Sequence, residues 1–259
     1  MAESILIIGK SKVGLSLAKA IETSKSYKLA GLIPARARSY PILKTDIIII
    51  ATKDDKIIDA ARKAILKSKK RPALIVHLAG SLPPSILPEL PGVMRLTLHP
   101  LQTFPEPDPK LFAGIYWMAS SENSRAIAWA RKFVAKIGGI SLFVLPEDAL
   151  PLYHAMTVFS SNFITLLFAA TEEISSKLGQ NPKKMKAALL PLAEKSLQNA
   201  LAKPAKSVLS GPMSRKDLTT IRNHQKALKA LDPKLRKIYD AFLDFALSKI
   251  PNGADSINY

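Results

Sequence analysis

Short apolar runs alternate with helically spaced apolar positions through the first half of the chain. Residues 4–8 (Ser-Ile-Leu-Ile-Ile) read as a strand, and residues 12–23 carry Val13, Leu17, Ala20 and Ile21 at helical spacing. Strands are also expected at 27–33, 46–52, 73–78, 93–98, 114–119 and 140–144, with helices at 56–68 and 121–137. Four consecutive isoleucines, Ile47 to Ile50, mark the run 46–52 as a strand buried on both faces. Strands and helices in alternation imply an α/β fold with a mostly parallel sheet covered on both sides.

The pattern changes near Pro146. No convincing strand is found from Asp148 onward, and helix-start signals recur. They are Asp148 ahead of an apolar run, Asn181-Pro182, Ser214 with Asp217 three residues on, and Asp232-Pro233. The stretch 149–178 is expected to be one long, mostly apolar helix that must be covered on more than one side. The expected division is an α/β domain over 1–147 and an all-helical domain over 148–259.

Composition narrows the functional classes. The chain has 259 residues, of which 47% are hydrophobic and 22% charged, the balance of folded domains rather than of disorder. Lys and Arg number 38 against 20 Asp and Glu, a net charge of +18. The lysines are spread widely apart from Lys67-Ser68-Lys69-Lys70-Arg71. The aromatic residues do not interleave with the basic clusters, as a stacking platform for single-stranded nucleic acid requires. A solvated basic surface with one pocket for an anionic cofactor fits better, and nucleic-acid binding remains the lesser alternative. The absence of cysteine excludes disulfides, Cys-ligated zinc and thiol catalysis, and it fits a reducing compartment. No metal site is expected. No apolar run reaches the roughly 18 residues that span a bilayer, and Met1-Ala2-Glu3-Ser4 lacks the basic start of a signal peptide. The expectation is a cytoplasmic protein with no membrane partner.

The first strand runs into Gly9-Lys10-Ser11-Lys12-Val13-Gly14, the Rossmann dinucleotide fingerprint with Ser11 at its middle glycine. In that fingerprint the first glycine makes the tight turn, the second lets the backbone approach a pyrophosphate, and the third allows close helix–strand packing. A glycine-containing turn without a ligand is the alternative. An NAD enzyme places an acid at the end of the second strand to bond the ribose. Here the segment is Ile33-Pro34-Ala35-Arg36-Ala37-Arg38-Ser39, with no acid. Arg36 and Arg38 can pair with a 2′-phosphate, so NADP is preferred over two merely solvated arginines. In open parallel sheets ligands lie beyond the carboxyl ends of the strands. Thr52 therefore falls near the nicotinamide side, and Gly80 and Ser81, after His77-Leu78-Ala79, can approach a ligand. His99 follows in His99-Pro100-Leu101-Gln102-Thr103-Phe104. A histidine at a strand end is either a hydrogen-bonded structural residue or a functional one.

In the helical half, His154, Val158, Ser161 and Asn162 share a face of the expected long helix. Polar groups in an apolar helix are costly unless satisfied, either by a substrate cleft between two domains or by neighbouring helices. Ser210-Gly211-Pro212-Met213-Ser214-Arg215-Lys216-Asp217 opens a helix that contains His224. Arg215 can grip a substrate carboxylate, and Asp217 can orient Arg215 or cap the helix.

Together, the glycine turn, His77-Leu-Ala-Gly-Ser81, His99-Pro-Leu-Gln-Thr-Phe104, Tyr153-His154 through Asn162, and Gly211-Pro with Arg215, Asp217 and His224 resemble a known group. It comprises the Rossmann-like NADP-dependent oxidoreductases that carry a C-terminal helical domain of unknown function. They are distant relatives of pyrroline-5-carboxylate reductase, ketopantoate reductase and the 6-phosphogluconate dehydrogenase superfamily. The resemblance covers nearly the whole chain. It implies NADP bound by Gly9, Ser11, Lys12, Val13, Gly14, Arg36, Arg38, Thr52, Gly80, Ser81 and His99, a helical domain that often dimerises, and reduction of a small carbonyl or imine. Three departures stand out: Ser11 replaces a glycine, Lys216 stands within Arg215-Lys216-Asp217 where Arg-Gly-Asp is common, and Val158 lies four residues before Asn162 where many of these dehydrogenases have a catalytic lysine. Another acid must then supply the proton, and His154, whose imidazole class titrates in the right range, is the candidate. Ser161 and Asn162 hold the reacting oxygen and Arg215 a carboxylate, as on a ketopantoate-like 2-keto acid held between the domains. The alternatives are a non-catalytic NADP-binding sensor or scaffold and a basic nucleic-acid-binding protein.

Overall fold

The computed structural model describes residues 2–37, 40 and 44–249. Its first elements are β1 (Ser4–Ile8), α1 (Lys12–Ser24), β2 (Lys28–Ile33), β3 (Ile47–Ile50), α2 (Ile57–Leu66), β4 (Leu74–His77), β5 (Met94–Pro100), β6 (Tyr116–Ser120), α3 (Ser124–Lys136), β7 (Ser141–Val144) and α4 (Leu150–Ser160). The strands form one seven-stranded sheet in the order β2-β1-β3-β4-β5-β6-β7. β1 to β5 run parallel, whereas β6 is antiparallel to β5 and β7 parallel to β6. The reversal follows from the connection. A parallel neighbour needs a helical crossover, but between β5 and β6 there is only a short 3-10 turn at Pro109–Phe112.

Both sheet faces are covered. Ile47 and Ile49 pack with Leu17 and Ile21 of α1 and with Phe133 of α3. Ile48 and Ile50 pack on the other face with Ile57, Ala61 and Ala64 of α2. Double burial explains the four-isoleucine run, since every side chain of that strand meets a helix layer.

His77, the last residue of β4, is fully buried. Its Nε2–H lies 3.2 Å from the Pro83 carbonyl and 2.9 Å from the Thr97 hydroxyl, which in turn donates to the Leu82 carbonyl. Nδ1 has no partner. Burial pushes the His77 pKa down to about 4. The unfolded chain binds a proton below about pH 6.5 that the native state refuses until about 4. Native stability should therefore be complete above pH 6.5 and decline as pH falls toward 4, by on the order of 3 kcal/mol for this group. Urea titrations at pH 7, 5.5 and 4.5 check this, and His77→Met should remove this group's share of the slope and leave that of His99, whose pKa is also lowered to about 4.

The chain forms two compact units, Met1–Ser161 and Asn162–Tyr259. α4, expected with the helical domain, lies in the first unit, where Leu150 and Tyr153 are buried with Met118 of β6. The second unit holds α5 (Asn162–Lys177), α6 (Pro182–Ala202), α7 (Ala205–Val208), α8 (Gly211–Ser214), α9 (Leu218–Leu231) and α10 (Pro233–Lys249), with no strand among its described residues. Asn181 caps α6 through the Lys184 amide. Asp217 itself, rather than Ser214, caps the helix that follows, and Asp148 lies within a 3-10 turn instead of capping α4.

The single helix expected over 149–178 is divided. Ser161, at φ −135 and ψ −67, ends α4 before α5 begins. By length and composition the stretch Glu147–Lys177 is apolar enough to cross a membrane, contrary to the expectation that no such run exists, and only 6% of its apolar window is buried. The break at Ser161 leaves helices of 11 and 16 residues, each shorter than the roughly 20 that a bilayer requires. Leu152, Met156 and Phe159 of α4 and Leu166 of α5 are exposed.

Candidate functional site

The strand order places β1 between β2 and β3, so the switch point of the sheet lies at the carboxyl ends of β1 and β3, where ligands bind in this architecture. The glycine turn sits there. Gly9 has φ +120, and a Cβ on it would lie 2.1 Å from the Ala51 carbonyl oxygen. Its N–H donates to the Ile33 carbonyl at 2.8 Å, tying the turn to β2. A Cβ on Gly14 would lie 2.3 Å from the Gly9 carbonyl oxygen, so α1 can start this close to β1 only with glycine there.

Ser11 occupies the middle position with φ −67, which any residue adopts. Its hydroxyl donates to the Ala51 carbonyl at 2.7 Å and accepts from the Gly14 N–H at 3.2 Å, capping α1 and pinning the turn to the tip of β3. The next helical N–H groups, on Lys12 and Val13, make no hydrogen bond within the described chain. Two free N–H donors at the start of a 13-residue helix suit a phosphate group. Lys12 is exposed, Val13 half-buried.

Arg36 is exposed in the turn that follows β2, and no carboxylate stands in 33–37. Arg38 lies outside the described residues. Thr52, just beyond β3, is half-buried, with its hydroxyl on the Lys53 carbonyl at 3.1 Å. Gly80 is buried and Ser81 half-buried, beyond the end of β4.

A second cluster forms where β5 ends. The Tyr153 hydroxyl of α4 lies 2.8 Å from His99 Nδ1, and the His154 ring stands 6.0 Å from the His99 ring at 69°. A Cβ on Gly80 would come within 2.9 to 3.0 Å of the His99 ring, so the glycine lets the ring lie against the loop after β4. Burial, with His154 adding to it, pushes the His99 pKa down to about 4, and burial holds the Tyr153 phenol above its ordinary range. From sequence alone His99 is a cofactor candidate and His154 the candidate acid, while Tyr153 is not among the candidates. Its signal was a phenol on a largely apolar helix, one residue before the chosen histidine.

Thus the glycine turn, Thr52, Gly80, Ser81, His99 and His154 all belong to the first unit, at or beyond the carboxyl ends of β1, β3, β4 and β5, except for His154 on α4. Ser161 ends this unit, with its hydroxyl on the Thr157 carbonyl at 2.7 Å. Asn162, Arg215 and Asp217 belong to the second unit. Asn162 is the first residue of α5, whereas His154 lies within α4. Arg215 is exposed at the end of α8, and Asp217 accepts from the Thr220 amide at 3.0 Å and from its hydroxyl at 2.7 Å. Those bonds, first that from the Thr220 amide, lower the Asp217 pKa. His224 pairs with Tyr239 of α10 at 3.1 Å. A cavity of about 310 Å³ near Met94, Arg95 and Ser121 opens at the start of β5, the opposite end of the strands from the glycine turn.

A sheet with this order, a glycine turn at its switch point and helices on both faces define a Rossmann-like α/β protein followed by a helical unit. A family model described as Domain of unknown function (DUF2520) matches residues 115–244. The chain belongs to that family, whose matched region begins just before β6 and leaves out the glycine turn. No curated protein matches the sequence. Among solved structures, a Bacteroides fragilis protein described as an NADP oxidoreductase is 19% identical, with 96% of this chain and 99% of that one covered and a TM-score of 0.78. A reductive aminase from Aspergillus terreus in complex with NADPH and ethyl levulinate is 15% identical, covering 98% and 97%, with a TM-score of 0.63. A pyrroline carboxylate reductase from Plasmodium falciparum with NADP bound is 14% identical, covering 95% and 97%, with a TM-score of 0.59. At these identities the likeness is one of fold.

Proposed function

We propose that the chain is an NADP-dependent oxidoreductase that reduces a small carbonyl compound, such as a ketopantoate-like 2-keto acid, or an imine. The observation that carries this is the glycine turn at the switch point, with the unpartnered N–H groups of Lys12 and Val13 at the head of α1. The NADP and NADPH complexes of structures with the same fold support it. Gly9, Ser11, Lys12, Val13 and Gly14 receive the pyrophosphate, and Arg36 with Arg38 receives the 2′-phosphate. Thr52, Gly80 and Ser81 line the nicotinamide side, near His99. The bound coenzyme supplies the hydride. His154 holds the proton that the reduced oxygen or nitrogen needs. Ser161 and Asn162 bond the reacting oxygen, Arg215 grips a carboxylate, and Asp217 fixes the helix start beyond Arg215.

The exposed apolar residues of α4 and α5 support a homodimer in which a second copy covers them. The lack of cysteine agrees with a cytoplasmic setting.

The test is NADPH oxidation with a panel of 2-keto acids and cyclic imines. Turnover on at least one class is expected. NADPH binding without turnover on any would identify a sensor instead. Arg36→Ala should weaken NADPH about tenfold and leave NADH unchanged, because a charge-assisted bond to the 2′-phosphate is lost. Calorimetry with both coenzymes checks it.

A further inference from the structure

We propose that His99 is a second catalytic group, a neutral imidazole whose Nε2–H polarises the C=O or C=N bond, with Tyr153 and Gly80 as its positioning residues. This rests on the reductase assignment above and gives His99 a task at the substrate.

Three observations meet at this ring. The Tyr153 hydroxyl has His99 Nδ1 as its hydrogen-bond partner at 2.8 Å, and no other acceptor for that hydrogen is found among the described residues. In the proposed arrangement the phenol donates and Nδ1 accepts, which leaves the ring proton on Nε2. Gly80 leaves room for the ring, because any Cβ would press on its Cγ, Cδ2 and Nδ1 atoms. Nε2 bonds to no atom of the described chain. It is also absent from the buried atoms that lack a partner, which are His77 Nδ1 and Trp117 Nε1. Nε2 is therefore open to a ligand, unlike the sealed Nδ1 of His77.

The titratable groups beside His99 are Tyr153 and His154, both on α4. Burial keeps both His99 and Tyr153 uncharged at neutral pH. A neutral donor fixed before reaction stabilises charge developing on the substrate without giving up its proton. In the reduction the substrate carbon takes the hydride with its electron pair from the reduced coenzyme, which ends oxidised. The oxygen or nitrogen takes the proton from His154, and His154 regains one from water. His99 keeps its proton throughout.

The experiment pairs histidine ¹⁵N NMR of the full chain with kinetics. Wild type should show His99 as the Nε2–H tautomer, not titrating between about pH 5.5 and 8. Tyr153→Phe should populate both tautomers and lower kcat on the order of tenfold or more with the NADPH Kd unchanged. His99→Gln should lower kcat by roughly 10²–10³-fold. A wild-type Nδ1–H tautomer, titration within that range, or full kcat in Tyr153→Phe overturns the proposal. If wild type has the expected tautomer but turns over no carbonyl or imine, the reductase assignment fails and His99's catalytic role falls with it, while the cradle stands.

Discussion

Replacing His154 with alanine should lower turnover by about 10²–10⁴-fold, the usual contribution of a positioned general acid. The NADPH dissociation constant should stay the same. The residue sits on α4, half-buried, with its ring beside that of His99. Its carbonyl accepts from the Thr157 hydroxyl at 2.7 Å, and alanine keeps that backbone bond. Alanine is also a strong helix former, so α4 keeps its shape. The loss should therefore fall on kcat rather than on folding or coenzyme affinity, and steady-state kinetics with calorimetry separates the two. Unchanged turnover removes His154 from the mechanism.

Gly9→Ala should have an equally large effect of another kind. At φ +120 an alanine is strained wherever it stands. Here its methyl would also lie 2.1 Å from the Ala51 carbonyl oxygen, which already accepts from Ser11. The turn must shift, and with it the N–H groups of Lys12 and Val13 and the contact with β3. A loss of about 3 kcal/mol or more in stability is expected, together with loss of NADPH binding. Urea unfolding and calorimetry measure the two effects. Ser11→Ala is the milder companion: it removes the cap and the bond to Ala51, costing about 1 kcal/mol without strain.

Much of the fold was legible because its causes are local. The isoleucine run 47–50 announces a doubly buried strand, and the two glycines of the turn stand where the backbone demands them. The reversal at β6 was not legible, since it depends on the connection after β5 lacking a crossover helix. The break at Ser161 was hidden as well. Its neighbours keep helical periodicity, and a serine can sit within a helix or end one. The acidic residue at 217 had two readings in sequence, and the structure assigns it the cap. The candidate site was half legible. The glycine turn and His154 follow from spacing and residue type, whereas the union of Tyr153 with His99, 54 positions apart, exists only after β5 and α4 pack together.

The central claim is that the glycine turn and the arginine after β2 bind a 2′-phosphorylated dinucleotide. Isothermal titration of the wild-type chain with NADPH and, separately, with NADH tests it most directly. A saturable site for NADPH, with NADH at least about tenfold weaker, is the expected result. No heat with NADPH, or equal affinity for the two coenzymes, contradicts it.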